Sequence, residues 1–325
     1  MDCPKASLLV ITYNQEHLVE DALRGAISQD YENLEIIVSD DCSTDTTFEK
    51  VESFFSSYIG PHKVILNRNK NNKGIGGNLN KAVSLSSGDL IFVSAGDDVS
   101  LPNRVSKVVD FWESGSRFHD LIASYLYDME YSGRVLDIVE VDDLSRYQGV
   151  DDWLKIGHPK LIGAAHAWSR SFYVEHGGIP NGVVAEDMVM AFRALASSKA
   201  ATINIPLVNY RRGGTTGKKI RGSVEEVKCS FLKKVYNSKI ELLDMLKVAA
   251  ANRPSPELLV YFSGLYQREC YVERIFSEGC SFLDKLKFLV SSKNTKLGFR
   301  VRVFFYATFP WLFVPFFWLK SRAVK

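Results

Sequence analysis

Short apolar runs alternate with amphipathic stretches through the first hundred residues, and no other feature constrains the fold as much. Residues 7–11 (SLLVI), 34–38 (LEIIV), 64–66 (VIL) and 89–93 (DLIFV) have the length and apolar composition of buried strands. Between the first two, Val19, Ala22, Leu23, Ala26 and Ile27 recur at i, i+3, i+4, i+7 and i+8, one face of a helix. Asn14 is the expected N-cap of that helix. Residues 44–58 and 78–85 read as two more helices. Strand, helix, strand in this order predicts an α/β fold with a mostly parallel sheet and right-handed crossovers.

The pattern then loosens. Residues 121–129 and 134–139, joined through Ser132-Gly133, read as a hairpin added to the sheet. Residues 161–168 read as a strand. Met188, Ala191, Phe192 and Leu195 mark a helix opening near Asp187. Residues 201–210 form a further strand in which Pro206 signals an edge or a bulge. Residues 224–252 and 256–278 are helical, and no internal repeat or low-complexity linker interrupts the chain.

Composition narrows the class. At 46% hydrophobic and 24% charged over 325 residues, the chain excludes disorder and a polytopic membrane protein. Five cysteines, odd in number, unclustered and without a CxxC, exclude a disulfide framework. With a strand-like run directly after the N-terminus and no leader-like segment, they lead to the expectation of a reducing cytoplasm. The net charge of +2 is unevenly spread. Residues 280–325 hold nine Lys/Arg against Asp284 alone, +8, which leaves the other 279 residues at −6. An acidic body argues against a nucleic-acid partner.

In a parallel α/β sheet, ligands meet the carboxyl ends of the strands. Thr12, Tyr13 and Asn14 follow the first strand, Asp40 to Asp45 the second, and Gly96, Asp97 and Asp98 the fourth. Neighbouring carboxylates need a compensating cation, and an oxygen-only set suits Mg²⁺ or Mn²⁺. The chain has no GxxxxGK[ST] motif and no GxGxxG after the first strand, so the P-loop and dinucleotide-binding readings fail. The six histidines show no metal-binding spacing and are expected to be structural or exposed. The plainer alternatives stay open: Asp97-Asp98 as a solvated turn, Asp187 as a helix cap, Asp40 and Asp45 as caps, Tyr13 as core, and 73–77 (KGIGG) as a loop that either admits a donor or does nothing.

SLLVITYN at residues 7–14, VSDDCSTD at 38–45, NKGIGGNLNKAVSLSSG at 72–88, AGDDVSLP at 95–102, Glu186-Asp187 and PLVNYRR at 206–212 occur in this order. Over residues 5–217 the chain resembles family 2 glycosyltransferases, whose fold is of the GT-A type. The resemblance implies an inverting transferase that uses a nucleotide-sugar donor. It casts Tyr13 as the aromatic beside the nucleobase and Asp41, with Asp40 next to it, as the carboxylate that base donates to. Asp97 becomes the ribose- or metal-facing acid, Asp98 the ligand of a Mn²⁺ or Mg²⁺ that neutralises the departing diphosphate, and Asp187 the general base. Thr12, Asn14, Arg211 and Arg212 complete the expected donor contacts. Separately, Arg211, Arg212, Lys218, Lys219 and Arg221 around the glycine-rich 213–217 read either as a basic loop that closes over the diphosphate or as an exposed surface loop. The sequence departs from the family at two places. Ala95 stands where many members have an acid, and Gly213 where many have a metal-reaching histidine.

Residues 303–319 contain six Phe, two Trp and no charge, but Pro310 and Pro315 interrupt them. Flanked by Lys and Arg, they suit an interfacial membrane segment better than a span; packing inside a helical subdomain is the alternative. The expected organisation is a GT-A domain over 1–222, a helical extension over 223–280 and a membrane-associating tail over 281–325. The expected activity moves a sugar, from UDP by family resemblance, to a glycan or lipid-linked glycan in cell-envelope polysaccharide or O-antigen synthesis, at the inner face of the cell membrane. A nucleotidyltransferase, or a silent glycan- or membrane-binding protein on the same fold, are the competing readings.

Overall fold

The computed structural model describes residues 3–212, 224–292, 295–313 and 315. The chain forms two compact units, Met1–Gly217 and Lys218–Lys325. The first contains, in order, β1 (Ala6–Thr12), α1 (Val19–Ile27), β2 (Leu34–Asp40), α2 (Thr47–Phe55), β3 (Lys63–Arg68), α3 (Gly74–Leu85), β4 (Leu90–Ala95), β5 (Val99–Ser100) and α4 (Arg104–Ser114). It continues through β6 (Leu121–Met129), β7 (Val135–Val139), α5 (Asp152–Lys155), β8 (His166–Ser169), α6 (Arg170–Glu175), α7 (Glu186–Ala196) and β9 (Ala200–Arg211).

One nine-stranded sheet runs β3-β2-β1-β4-β8-β6-β9-β5, with β7 paired to β6. β3, β2, β1 and β4 are parallel, β8 is antiparallel to both β4 and β6, and β9 is parallel to β6. Six strands therefore share one direction, and the carboxyl ends of β1, β2, β4, β6 and β9 open on the same edge. The expected α/β GT-A-type sheet is observed. Pro206 sits at a register shift opposite Tyr125, the bulge that its missing N–H requires.

Both faces of the sheet are covered, as parallel strands demand. Leu8, Val10, Ile36, Val38 and Phe92 pack with Val19, Leu23 and Ala26 of α1 and with Val105 and Trp112 of α4. Leu9 and Ile37 alternate to the other face and are equally buried.

Two helix boundaries correct the sequence reading. Asn14 does not cap α1; the cap is Leu18, and Asn14 takes a left-handed φ of 52° while its Oδ1 accepts from Thr44 N and Oγ1. Residues Gly74 to Gly77 are not a loop but the first turn of α3. The glycines gave no local helix signal; the carboxylate that satisfies this helix start belongs to Asp41, more than thirty residues earlier.

The second unit holds α8 (Val224–Ala251), α9 (Pro256–Ile275), α10 (Phe282–Ser291) and α11 (Leu297–Thr308), then a short 3₁₀ turn at Pro310–Phe313. Ser255 caps α9 with Pro256 in its first turn, and Ser281 with Asp284 forms a capping box on α10. Val235, Tyr271, Val272, Ile275, Val303 and Phe304 form one core, so residues on both sides of position 280 share it. This corrects the interfacial reading of 303–319 at its start: Val303 and Phe304 are buried. Arg300 is turned inward as well, Nη1 donating to Leu289 O at 2.5 Å. Residues 314 and 316–319 lie outside the described residues, as does the glycine-rich basic loop from 213 to 221. Among the described residues no helix is long and apolar enough to cross a membrane.

Candidate active site

The loops after β1 and β2 are stitched together. Register pairs Thr12 with Asp40, and the Thr12 hydroxyl donates to Asp40 Oδ1 at 3.0 Å. Asp40 also accepts from Ser43 N at 2.8 Å and Ser43 Oγ at 2.5 Å and is fully buried. Asn14 N donates to Ser43 Oγ. Asp41 is buried too: Oδ1 accepts from Asn69 Nδ2 at 2.9 Å and Lys73 N at 2.8 Å, and Oδ2 from Gly74 N at 2.8 Å. A carboxylate held on the first N–H groups of α3 is a helix cap supplied from another strand. Asp45 caps α2, accepting from Thr47 N and Oγ1. Just past β1, Tyr13 (39% exposed) and Asn14 face outward, while Thr12, the last residue of the strand, is buried.

The acidic turn Gly96-Asp97-Asp98 links β4 to β5 and lies against the first loop. A Cβ on Gly96 would sit 2.5 Å from Gln15 Oε1 and 2.7 Å from Thr12 Cγ2, so this contact requires glycine. Asp97 and Asp98 are 8% and 3% exposed. Burial and the neighbouring Asp97 push the Asp98 carboxyl up to about 8, against a backbone hydrogen bond from Arg211 and the cations of Arg104 and Arg211. Two carboxylates in so little water call for a cation.

Arg211, an expected donor contact, is instead a brace beneath this turn. It is 2% exposed. Its N donates to Asp98 Oδ1 at 2.8 Å, Nε to Asp97 O at 2.9 Å, Nη1 to Tyr131 O at 2.6 Å and Nη2 to Asp21 Oδ2 at 2.8 Å. Arg212 is largely exposed and pairs with Asp128 Oδ2 at 2.6 Å.

Asp187 stands half-buried in the first turn of α7, Oδ1 accepting from Met188 N at 2.7 Å. Gly163 backs onto it; a Cβ there would be 3.0 Å from Glu186 Oε1 and 3.1 Å from Asp187 Cβ. The link between α7 and the acidic turn is Tyr210. Its phenol is pushed up by burial and then by Asp98, Asp97, Asp187 and Asp128, so carboxylates from three segments act electrostatically on one phenol. Asp128 faces Tyr210 in the β6–β9 register.

Sequence reasoning missed Asp128, Tyr210, Gly163 and Arg104. Asp128 had one signal, an acid inside an otherwise apolar strand. Its Oδ1 is buried without a hydrogen-bond partner. Arg104, fully buried, donates to Ser100 Oγ, Val93 O and His166 O and places a second cation behind Asp98. His166 is buried, and burial followed by Arg104 holds it down to about 3, so it is a neutral core residue.

Among the described residues no group of three or more His, Cys, Asp or Glu could hold a metal ion. The Asp97–Asp98 pair fits a hard cation whose remaining ligands are water or phosphate oxygens.

An α/β sheet with an acidic turn at its switch edge and a separate carboxylate opposite is the arrangement of a GT-A transferase. The sequence profile described as Glycosyl transferase family 2 matches residues 7–173, and the chain belongs to that family. It is 37% identical over 110 residues to the putative glycosyltransferase EpsE of Bacillus subtilis, covering 34% of this chain and 39% of that one. It is 28% identical over 120 residues to the Escherichia coli UDP-Glc:alpha-D-GlcNAc-diphosphoundecaprenol beta-1,3-glucosyltransferase WfaP, covering 37% and 38%. The chain thus spans well under half the length of these relatives. The fold matches S. aureus TarS 1–349, solved with UDP-GlcNAc, at a TM-score of 0.52 and 15% identity over 82% of this chain and 81% of that one. It also matches the mannosyltransferase PcManGT of Pyrobaculum calidifontis, solved with GDP-Man and Mn²⁺, at 0.51 and 15% over 94% and 86%.

Proposed function

We propose that the chain transfers a sugar from a UDP-sugar to a hydroxyl of a lipid-linked glycan, with inversion at the anomeric carbon. The observation that carries this reading is the buried Asp97–Asp98 turn at the carboxyl end of β4, held by Arg211, with Asp187 in the first turn of α7 acting on the same Tyr210 phenol. It sets a cation-requiring pair and an independent carboxylate at one sheet edge.

Asp187 takes the proton from the acceptor hydroxyl as that oxygen attacks C1 on the face opposite the nucleotide. A single displacement needs one base and no protein nucleophile. Asp98, with Asp97, holds Mn²⁺ or Mg²⁺, which when bound supplies charge neutralisation for the departing diphosphate. Arg211 N fixes Asp98 Oδ1, and Arg104 keeps positive charge beneath it. Tyr13 and Asn14, exposed beside the acidic turn, meet the nucleoside, and Arg212 the phosphates. Thr12, Asp40 and Asp41 shape the same subsite from below.

Similarity to WfaP supports a UDP donor and a diphosphoundecaprenol-linked acceptor, likeness to TarS supports UDP, and likeness to PcManGT supports the metal. Residues 1–222 would contain the catalysis, and the cationic residues after 280 the attachment to the inner face of the cell membrane.

The test incubates the full-length protein with labelled UDP-sugars and Mn²⁺ and measures UDP release. Asp98→Asn, similar in size and uncharged, should lose nearly all turnover, and EDTA should do the same to the wild type. Near-normal turnover in either case refutes the metal role. Calorimetric titration with UDP and GDP decides the base: tighter GDP binding refutes the uridine assignment.

A further inference from the structure

The helical unit carries an apolar surface that its own core does not use. On α10, Phe288 and Leu289 pack against the core around Tyr271 and Val303. At about 100° per residue, Leu283, Leu286 and Val290 fall on the opposite arc, and they are exposed, Leu283 at 66% and Val290 at 68%. A helix that is apolar all round is one covered all round. On α11 Val303 and Phe304 point in and Phe305 (40% exposed) points out, while Leu297 is exposed at the first residue of the helix. Phe309 joins the two helices, its ring centroid 6.5 Å from Phe282, 5.8 Å from Phe305 and 6.5 Å from Trp311. Trp311 is itself 65% exposed.

Cations border this surface. Lys287 and Arg302 are exposed at the edges of the two outer arcs, and Lys296 is exposed at the start of α11. The one acid after residue 280, Asp284, is turned into the capping box on Ser281. A second copy of the chain docking through this face would bring the same +8 segment against itself, since a two-fold interface is self-complementary. Anionic headgroups supply the opposite charge, and aromatic and aliphatic side chains flanked by Lys and Arg match the headgroup boundary.

We infer that the outer face of α10 and α11 is a docking surface for an anionic lipid bilayer, with Leu283, Leu286, Val290, Phe305 and Trp311 entering the boundary layer. Both helices lie along the membrane rather than across it. The inference is independent of the transfer chemistry proposed above.

The test sediments the full-length protein with vesicles of phosphatidylcholine alone and of phosphatidylcholine mixed with phosphatidylglycerol. Leu283→Gln combined with Val290→Gln should lower partitioning about tenfold on both, because apolar area is lost. Lys287→Gln combined with Arg302→Gln should lower it about fivefold per charge on the mixed vesicles only. Both positions of the first pair are exposed, and unchanged circular dichroism confirms folding; Trp311→Gln gives an independent second reading. A wild type that stays in the supernatant with both vesicles overturns the inference. So does an apolar double variant that sediments like wild type, or a wild-type dimer which that variant splits. UDP release in detergent, unchanged in these variants, separates failure of this surface from failure of the proposed chemistry.

Discussion

Asp41→Asn asks whether this carboxylate serves the fold of the site before it serves a ligand. Two of its three accepted bonds converge on Oδ1, from Asn69 Nδ2 and Lys73 N, and the third, from Gly74 N, is on Oδ2. The amide keeps its oxygen toward the pair and turns its NH₂ against the Gly74 N–H. One charge-assisted bond, about 1.5–3 kcal/mol, is lost, and the negative charge at the start of α3, about 0.3–1 kcal/mol, goes with it. Gly74 N retains Asn72 Oδ1 at 3.1 Å, which holds the loss to the lower end. The expected destabilisation is about 2 kcal/mol. Urea unfolding followed by circular dichroism reads it as a lower midpoint at unchanged slope. Hydrogen exchange should show the loss concentrated at the first turn of α3. A variant within about 0.5 kcal/mol of wild type, the range of ordinary surface changes, that nonetheless binds UDP poorly would refute the cap and make Asp41 a direct nucleobase contact.

Asp187→Asn should lower kcat by about 10²–10⁴, the range of general-base contributions, with UDP-sugar affinity retained; equal loss of both would mark Asp187 as a structural cap. Gly163→Ala should displace Asp187 by a few tenths of an ångström and reduce kcat about tenfold with an unchanged fold; wild-type kinetics would show that α7 gives way freely. Burial alone would raise the Glu35 carboxyl, but Lys5, Ser87 N and Ser7 hold it down to about 2. A pKa depressed in the folded state stabilises above the unfolded value, near 4.5, and that stabilisation is lost as pH falls toward 2. Glu35→Gln should therefore flatten the acid side of the stability–pH curve between these values, and a urea midpoint that follows pH as steeply as in wild type would contradict it.

What was legible in the sequence was local. The periodicity of α1 and the apolar runs of β1, β2 and β4 place these elements to within a few residues, because burial on both sheet faces writes itself into composition. The strands that complete the sheet are different. β5 is two residues long and exists through Asn209 and Val208; β8 is four residues inserted between β4 and β6. Their pairing energy comes from distant partners: nothing nearby announces β5, and the strand expected over 161–168 meets β8 only at its end. The same holds at the site. Tyr13 and the Asp97–Asp98 turn carry their own signature, but the inward turn of Arg211 and the pairing of Asp128 with Tyr210 arise only when β6 and β9 lie side by side. Asp41 shows the converse: a residue singled out for a ligand is also held by the backbone of a helix it does not belong to.

The engagement of Arg211 has a consequence for the order in which this protein comes into being. One guanidinium ties α1 through Asp21, the acidic turn through Asp97 O and the β6–β7 connection through Tyr131 O, while its backbone N–H fixes Asp98. During synthesis the early strands and helices can pair as they leave the ribosome. The acidic turn, however, stays without its clamp until more than a hundred further residues have been made. The matched family segment ends at residue 173, before that clamp is translated, so a nascent chain that already has the family's sequence signature does not yet have the family's rigid site.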